Sequence, residues 1–380
     1  MRSSILFLLA LSAQWVAAQS TIIPPPPKIN AKAYILLDAE TNRVLAEENA
    51  DEPLPPASLT KIMTSFLAAQ EIASGRISLE DQVPISVKAW RMKGSLMFIR
   101  EGTQVPLGDL LKGIIIQSGN DASVAVAEYI AGSEDAFADM MNQQAQKLGM
   151  TSTHFSNATG LPTEDHYTTP RDLAVLTRAL ITKFPSHYKV YSQKSFKYND
   201  IDQPNRNRLL WRDRSVDGVK TGHTRAAGYC LVASAKRDGM RLISVVMGTD
   251  SDEARMRESQ KLLSYGFRYF QTQKLYDPGA VLYTSEVWYG TTDQVRMGVE
   301  KPAVLTIPRG RYDDLKAETD IQRIIKAPIA KGDELGELRV TLDDKTVYRA
   351  PLVALDDVPE GGMFKRLWHA IYLFFTGLFS

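Results

Sequence analysis

The chain has 380 residues, 44% of them hydrophobic and 23% charged, with a formal net charge of +1 at pH 7. That length carries two or three domains and ample material for a core. A charge so near zero, with short Lys/Arg clusters interleaved with acids, excludes an electrostatic case for a nucleic-acid or polyanionic partner.

The first residues, MRSSILFLLALSAQWVAAQS, combine Arg2, an apolar run from Ile5 to Leu11 and the small residues Ala17 and Ala18. That three-part pattern predicts a secretory signal peptide over residues 1–18. A membrane anchor is the competing reading, but the apolar run is too short to span a bilayer. Export permits disulfides, yet Cys230 is the only cysteine, so no internal bridge forms and the core must hold the fold. Cys230 sits in the alternating run GYCLVASA and reads as a small buried apolar residue. TIIPPPPKIN, closing residues 19–30, reads as a proline-stiffened linker.

From residue 31 strand-like and helix-like segments mix without a βαβ rhythm. KAYILLDAETNRVLAEENAD predicts a hairpin turning at Glu40 to Asn42. Helices are expected at Ser58–Glu71, Leu107–Ile116, Ala122–Ala131, Glu134–Leu148 and Pro170–Ile181, the fourth stopped by Gly149. GYCLVASAKRDGMRLISVVMG predicts two strands around an Asp-Gly turn, and SDEARMRESQKLLSYGFRYF a long amphipathic helix. The class is α+β, with this domain ending near residue 272. VLTIPRG, IIKAPIAKGDELGELRVTL and KTVYRAPLVAL then predict a small all-β domain over residues 275–359.

Residues 361–380 differ again. Phe364, Leu367, Trp368, Ile371, Phe374, Phe375 and Leu378 fall on one helical stripe, with Lys365, Arg366, His369 and Thr376 opposite. A Gly-Gly hinge at 361–362 precedes this stripe. Packing on the protein's own core is one reading. A helix lying in the membrane interface fits the Phe- and Trp-rich stripe better.

Three short runs carry the candidate chemistry. In PLPPASLTKIM, Pro55 and Pro56 fix a helix start, so Ser58 and Lys61, three apart, share one face of its first turn. The bland reading is an N-cap and a surface charge. Ser-x-x-Lys arises about once by chance in a chain of this length, and it recurs at Ser186–Lys189. A nucleophilic serine also needs a base and an oxyanion site, and a lysine serves as base where burial and cationic neighbours lower its pKa. IIIQSGNDAS places Ser118 and Asn120 in a turn between apolar helices. VDGVKTGHT places Lys220, Thr221 and Gly222 at the start of an apparent edge strand, where bare backbone can meet a substrate.

Ser-x-x-Lys, Ser-x-Asn and Lys-Thr-Gly in that order resemble the serine penicillin-binding proteins and class A β-lactamases. SLTK, SGN and KTGHT look most like the low-molecular-mass D-alanyl-D-alanine carboxypeptidases of the penicillin-binding protein 5/6 type, from residue 31 to the C-terminus. The resemblance implies a β-lactamase/transpeptidase-like catalytic domain, an antiparallel sheet with helices, ahead of the small β domain and anchor. It implies a penicillin-sensitive carboxypeptidase that trims the terminal D-alanine from peptidoglycan pentapeptide stems, at the outer face of the cytoplasmic membrane, without cofactor or metal. It makes Ser58 the nucleophile, Lys61 its base and Ser118 a relay to the leaving amine. Asn120 would bind the substrate amide, and Lys220 would supply positive charge. Thr221 and Arg206 would bind the terminal carboxylate beside Gly222. The backbone N–H groups of Ser58 and His223 would form the oxyanion hole.

Rival readings are weaker. The five histidines are scattered, no metal-binding spacing occurs, and no Gly-x-Ser-x-Gly elbow is present. A β-lactamase shares the acylation machinery, but Glu164, the glutamate of ATGLPTEDHYTTPRDL, lacks a class A-like setting. A catalytically silent penicillin-binding scaffold for cell shape would tend to lose Ser58 or Lys61, and both are present.

Overall fold

The computed structural model describes residues 23–377, with side chains to Phe374. The expected signal peptide at 1–18, residues 19–22 of the expected linker and Leu378 lie outside that range. Residues 23–30 run extended but are tied down. Pro24 accepts a hydrogen bond from the Tyr265 hydroxyl (3.1 Å), Glu258 accepts one from the Asn30 N–H (3.2 Å), and Ile29 is buried.

Five antiparallel strands build the main sheet, in spatial order Val44–Glu48, Ala33–Asp38, Met240–Thr249, Gly228–Arg237, Val216–Thr224. Side chains alternate along a strand, and here both faces are covered. Ala33, Ile35 and Leu37 pack into a large helical cluster with Phe66, Leu110 and Phe137, while Tyr34 and Leu36 meet Leu262 and Leu263 of the helix Asp252–Tyr269. Two-sided burial is why AYILLD is continuously apolar rather than alternating. Cys230 points into the helical cluster and is buried.

Local signals place the long helices. Ser133, Thr169 and Ser251 cap Glu134–Leu148, Pro170–Lys183 and Asp252–Tyr269, each side-chain oxygen accepting a backbone N–H at 3.1 Å. Gly149 ends the first of these at φ +78°. Two expected helices come out differently. The predicted Ser58–Glu71 helix opens with a 3₁₀ turn, Ala57–Thr60, that runs into an α-helix at Lys61–Ala73. The predicted Leu107–Ile116 helix divides into Leu107–Lys112 and a wider π-helical turn, Gly113–Gln117, which ends in Ser118 at φ +68°. Met97 lies so close to the Gly113 backbone that a Cβ there would fall 2.3 Å from its sulfur, so a larger residue would have to displace Met97. The next helix starts at Asn120, ahead of the expected Ala122.

The helix Asp252–Tyr269 passes straight into the strand Phe270–Tyr276, so strand structure begins before the expected residue 275. That strand pairs with Ala303–Pro308, and six further strands form a second sheet. Buried Asp38 joins the two regions: its carboxylate accepts from Glu40 and Thr41 N–H in the first hairpin (2.8 and 3.1 Å) and from the Thr306 hydroxyl (3.0 Å).

The last helix, Met363–Gly377, docks by its polar side. Lys365 pairs with Asp293 (2.7 Å), His369 Nδ1 accepts the Tyr289 N–H (2.8 Å), and Tyr372 stacks on Trp288. Gly361 is buried and donates to the Tyr289 carbonyl (2.7 Å), so the expected Gly-Gly hinge is fastened at its first residue. Among the described residues, no helix is long and apolar enough to cross a membrane.

Candidate active site

Three separate segments converge on Lys61 Nζ. The 3₁₀ turn brings Ser58, preceded by Ala57 in the left-handed region at φ +48°. Ser58 makes no helix cap. Its Oγ instead receives Lys61 Nζ at 3.2 Å. Lys61 Nζ also donates to Asn120 Oδ1 (2.7 Å) and to the Thr159 carbonyl (2.6 Å). Asn120 cannot turn over, because its Nδ2 donates to the Lys93 carbonyl (2.6 Å). In the free protein Asn120 therefore holds the lysine through Oδ1 while one Nδ2 N–H goes to the Lys93 carbonyl.

The edge strand Val216–Thr224 supplies the opposite wall. Lys220, Thr221 and Gly222 sit in its middle rather than at its start, because pairing with Gly228–Arg237 already begins at Val216. Lys220 Nζ donates to Ser118 Oγ (2.8 Å) and to the Thr221 carbonyl (3.0 Å). A Cβ on Gly222 would stand 3.1 Å from the Pro56 carbonyl and 3.3 Å from the Ala57 Cβ, so glycine lets the strand lie directly on the Ser58 turn. Beyond Gly222 opens a cleft of about 950 Å³ lined by Gln117, Arg206, Trp211, His223, Tyr229 and Arg255. His223 is exposed there, its ring stacked on Tyr229 at 4.0 Å, and Arg206 Nε donates to the Gln117 carbonyl (3.1 Å).

All nine residues singled out from the sequence, Ser58, Lys61, Ser118, Asn120, Arg206, Lys220, Thr221, Gly222 and His223, thus border one continuous site. The second Ser-x-x-Lys match does not join it. Ser186 and Lys189 are exposed on and just after a short helix, Pro185–Tyr188. Glu164 is exposed in its loop, and the group that loop turns to Lys61 is the Thr159 carbonyl.

Burial sets the electrostatics. It lowers the Lys61 pKa from 10.5 to about 7, with Asp121 opposing and the Arg206 charge assisting. Lys220 is driven well below its ordinary value, first by burial and then by the charges of Lys61, Arg206 and Arg255. For both lysines desolvation comes first, and the Lys61–Lys220 repulsion and the Arg206 charge add to it.

A neutral lysine has two N–H bonds and one lone pair. Asn120 Oδ1 and the Thr159 carbonyl are pure acceptors and take both N–H bonds, so the lone pair is left for the Ser58 hydroxyl proton. Ser118 and Lys220 form a second, closer serine–lysine contact, but Ser118 lies where the chain leaves a π-helical turn rather than at the start of a helix.

Several contributors were not found from the sequence. Buried Asp121 accepts the backbone N–H groups of Met97 (3.0 Å) and Phe98 (2.9 Å), fixing the loop that ends at Asn120. Arg255 donates to the Gly222 carbonyl (2.9 Å), and Asn207 to the Gly218 carbonyl (2.9 Å), bracing the edge strand. Asp121 directly follows Asn120 in SGND and was readable as an acid in a first helical turn. Nothing local marks Thr159 or Arg255.

Residues 19–251 match the family described as D-alanyl-D-alanine carboxypeptidase, and residues 270–360 match the C-terminal domain of penicillin-binding protein 5. D-alanyl-D-alanine carboxypeptidase DacC of Escherichia coli is 45% identical over 100% of this chain and 96% of its own. Penicillin-binding protein 5 from Haemophilus influenzae superposes with a TM-score of 0.86 at 41% identity, over 89% of this chain and 100% of that one. Penicillin-binding protein D2 from Listeria monocytogenes, in its ampicillin-bound form, superposes with a TM-score of 0.60 at 30% identity, over 64% of this chain and 100% of that one.

Because Lys61 binds its proton more weakly folded than unfolded, the unfolded chain holds more protons between about pH 7 and 10.5. Lys61→Met removes that term. Relative to the variant, the parent is expected to gain stability as pH rises from 7 to 10, read from denaturant midpoints at each pH. Parallel pH curves would contradict the depressed lysine.

Proposed function

The chain belongs to the D-alanyl-D-alanine carboxypeptidase family and is a serine-type peptidase of that kind; we propose that it removes the terminal D-alanine of peptidoglycan pentapeptide stems through an ester on Ser58. The observation that carries this reading is the placement of Lys61 Nζ, 3.2 Å from Ser58 Oγ, with its other hydrogen-bonding capacity already committed.

Neutral Lys61 takes the Ser58 proton as Oγ attacks the carbonyl between the two D-alanines. The developing oxyanion sits between the backbone N–H groups of Ser58 and His223. Thr221 and Arg206 hold the free carboxylate at the cleft entrance. The proton taken by Lys61 is relayed through the Ser118 hydroxyl, which is bonded to Lys220, to the leaving amine, and D-alanine departs. Water then adds to the ester, giving a proton to Lys61 that returns to Ser58 Oγ as the shortened stem leaves. A β-lactam presents a similar carboxylate and carbonyl and would acylate Ser58 too, as the ampicillin-bound Listeria relative suggests. Slow release of that adduct fits a loop that offers Lys61 a carbonyl and leaves Glu164 in solvent.

We further propose a periplasmic location, reached through the signal peptide, with the protein held peripherally on the membrane by its last helix. That helix turns its polar side to the β domain and leaves Phe364, Leu367, Trp368 and Phe374 exposed by 84, 60, 68 and 67%. Such a stripe matches an in-plane helix buried about 5–10 Å into the interface.

Two outcomes are expected. A soluble peptide ending in D-Ala-D-Ala releases D-alanine with the parent protein, and Ser58→Ala reduces release by at least about 10³-fold while keeping the melting temperature. Undiminished release by the variant would exclude Ser58. In vesicle flotation with anionic lipid, the full chain floats, and Phe364→Glu with Trp368→Glu sediments while cleaving the soluble peptide normally. Flotation unaffected by the double change would contradict the anchor.

A further inference from the structure

We propose that His166 is a positioning residue for this reaction: by fastening the strap formed by residues 156–166 to Thr60, it keeps the Thr159 carbonyl on Lys61 and water off it. The inference rests on Lys61 being the base. It concerns a histidine that the roles above leave unused.

The strap lies across the Ser58 turn at very close range. A Cβ on Gly160, itself at φ +83°, would fall 1.8 Å from the Ala57 carbonyl oxygen and 2.9 Å from Thr60 Oγ1. Inside the strap, Asn157 Oδ1 accepts from the N–H groups of Thr159 (3.1 Å) and Gly160 (2.8 Å), which turns the Thr159 carbonyl out toward Lys61. This internal turn shapes the strap but does not hold it to the helix.

His166 does. Its Nδ1 accepts from the Ser156 N–H (3.3 Å) and lies 3.2 Å from Asn157 Nδ2, a second donor. Two donors on Nδ1 assign the ring proton to Nε2, which donates to Thr60 Oγ1 at 2.8 Å. Thr60 is fully buried and stands between Ser58 and Lys61 in the chain. One ring therefore joins the start of the strap, the end of the strap and the nucleophile turn. The ring is itself buried, edge-on to Phe155, and burial and the charges of His154 and Lys61 drive its pKa from 6.5 down to about 4, so it stays neutral wherever the enzyme works. A cavity of about 100 Å³ between His166, Leu161, Pro56 and Ala57 leaves the strap room to shift once that bond is lost.

The consequence falls on Lys61. The ionisable groups around Lys61 are Asp121 from the adjoining helix, Arg206 from the cleft wall, Lys220 from the edge strand and His166 from the strap. Burial is the largest of the effects that lower its pKa. A strap that lifts admits water and weakens that effect, so the lysine regains its proton and the base is lost near neutrality.

The test is the pH dependence of the second-order rate of penicillin acylation, measured on the full chain, on His166→Ala and on Thr60→Ala, with His166→Gln as the conservative variant. The parent should show an ascending limb near pH 7. In both alanine variants the limb should move about one pH unit upward, which lowers acylation about fivefold at pH 7 and leaves it near the parent's rate at pH 9.5. His166→Gln, whose amide still donates toward Thr60, should restore most of the parent profile. Thr60→Ala cuts the same bond from the other side and keeps the test valid if His166→Ala unfolds. A limb in the parent that neither alanine variant moves, or moves downward, overturns the role of His166 alone. A parent with no limb overturns it together with the assignment of Lys61 as base.

Discussion

One buried amine organises this protein. Lys61 Nζ has been taken out of water and given three partners, Ser58 Oγ, Asn120 Oδ1 and the Thr159 carbonyl, so its charge is costly and its position fixed. A lysine in solvent keeps its proton near pH 10 and is no base at neutrality. The same lysine held dry, with cations nearby and both N–H bonds engaged, offers a lone pair in one direction. That direction is Ser58.

Much of the surrounding architecture serves to hold like charges together. Lys61, Lys220, Arg206 and Arg255 crowd the site, with buried Asp121 opposing at Lys61 and Asp252 paired with Arg255. Such clustering costs stability, and it persists only where the rest of the chain over-determines the geometry. A sheet buried on both faces supplies that surplus. Its edge strand is braced by Arg255 and Asn207 from one side and lies on the Ser58 turn through Gly222 on the other. Ala57 and Ser118 both adopt left-handed backbone beside the reacting groups.

Legibility in the sequence followed the range of the interactions. Caps and periodicity placed the helix Glu134–Leu148 at both ends, and the start of Pro170–Lys183, because those signals are local. The Gly113–Gln117 turn was missed because GIIIQ has the same apolar character in a π-helical turn as in an α-helix. The side chains the three motifs single out lie near one another, since each motif carries its own residues on one turn or strand. What braces them was not readable. The Thr159 carbonyl is backbone and bears no residue signature, and Asp121, Arg255 and His166 act across 24 to 106 positions of chain. The apolar stripe of the last helix was legible, whereas its docking through Lys365, His369 and Tyr372 depends on where the β domain presents Asp293, Tyr289 and Trp288.

Two serine–lysine contacts share the site, Ser58 with Lys61 at 3.2 Å and Ser118 with Lys220 at 2.8 Å, and the account depends on assigning the nucleophile to the first. Incubating the full chain with a penicillin, digesting it and locating the adduct by tandem mass spectrometry decides this directly. One adduct per chain is expected, on Ser58. An adduct on Ser118, or none on either serine, would contradict that assignment.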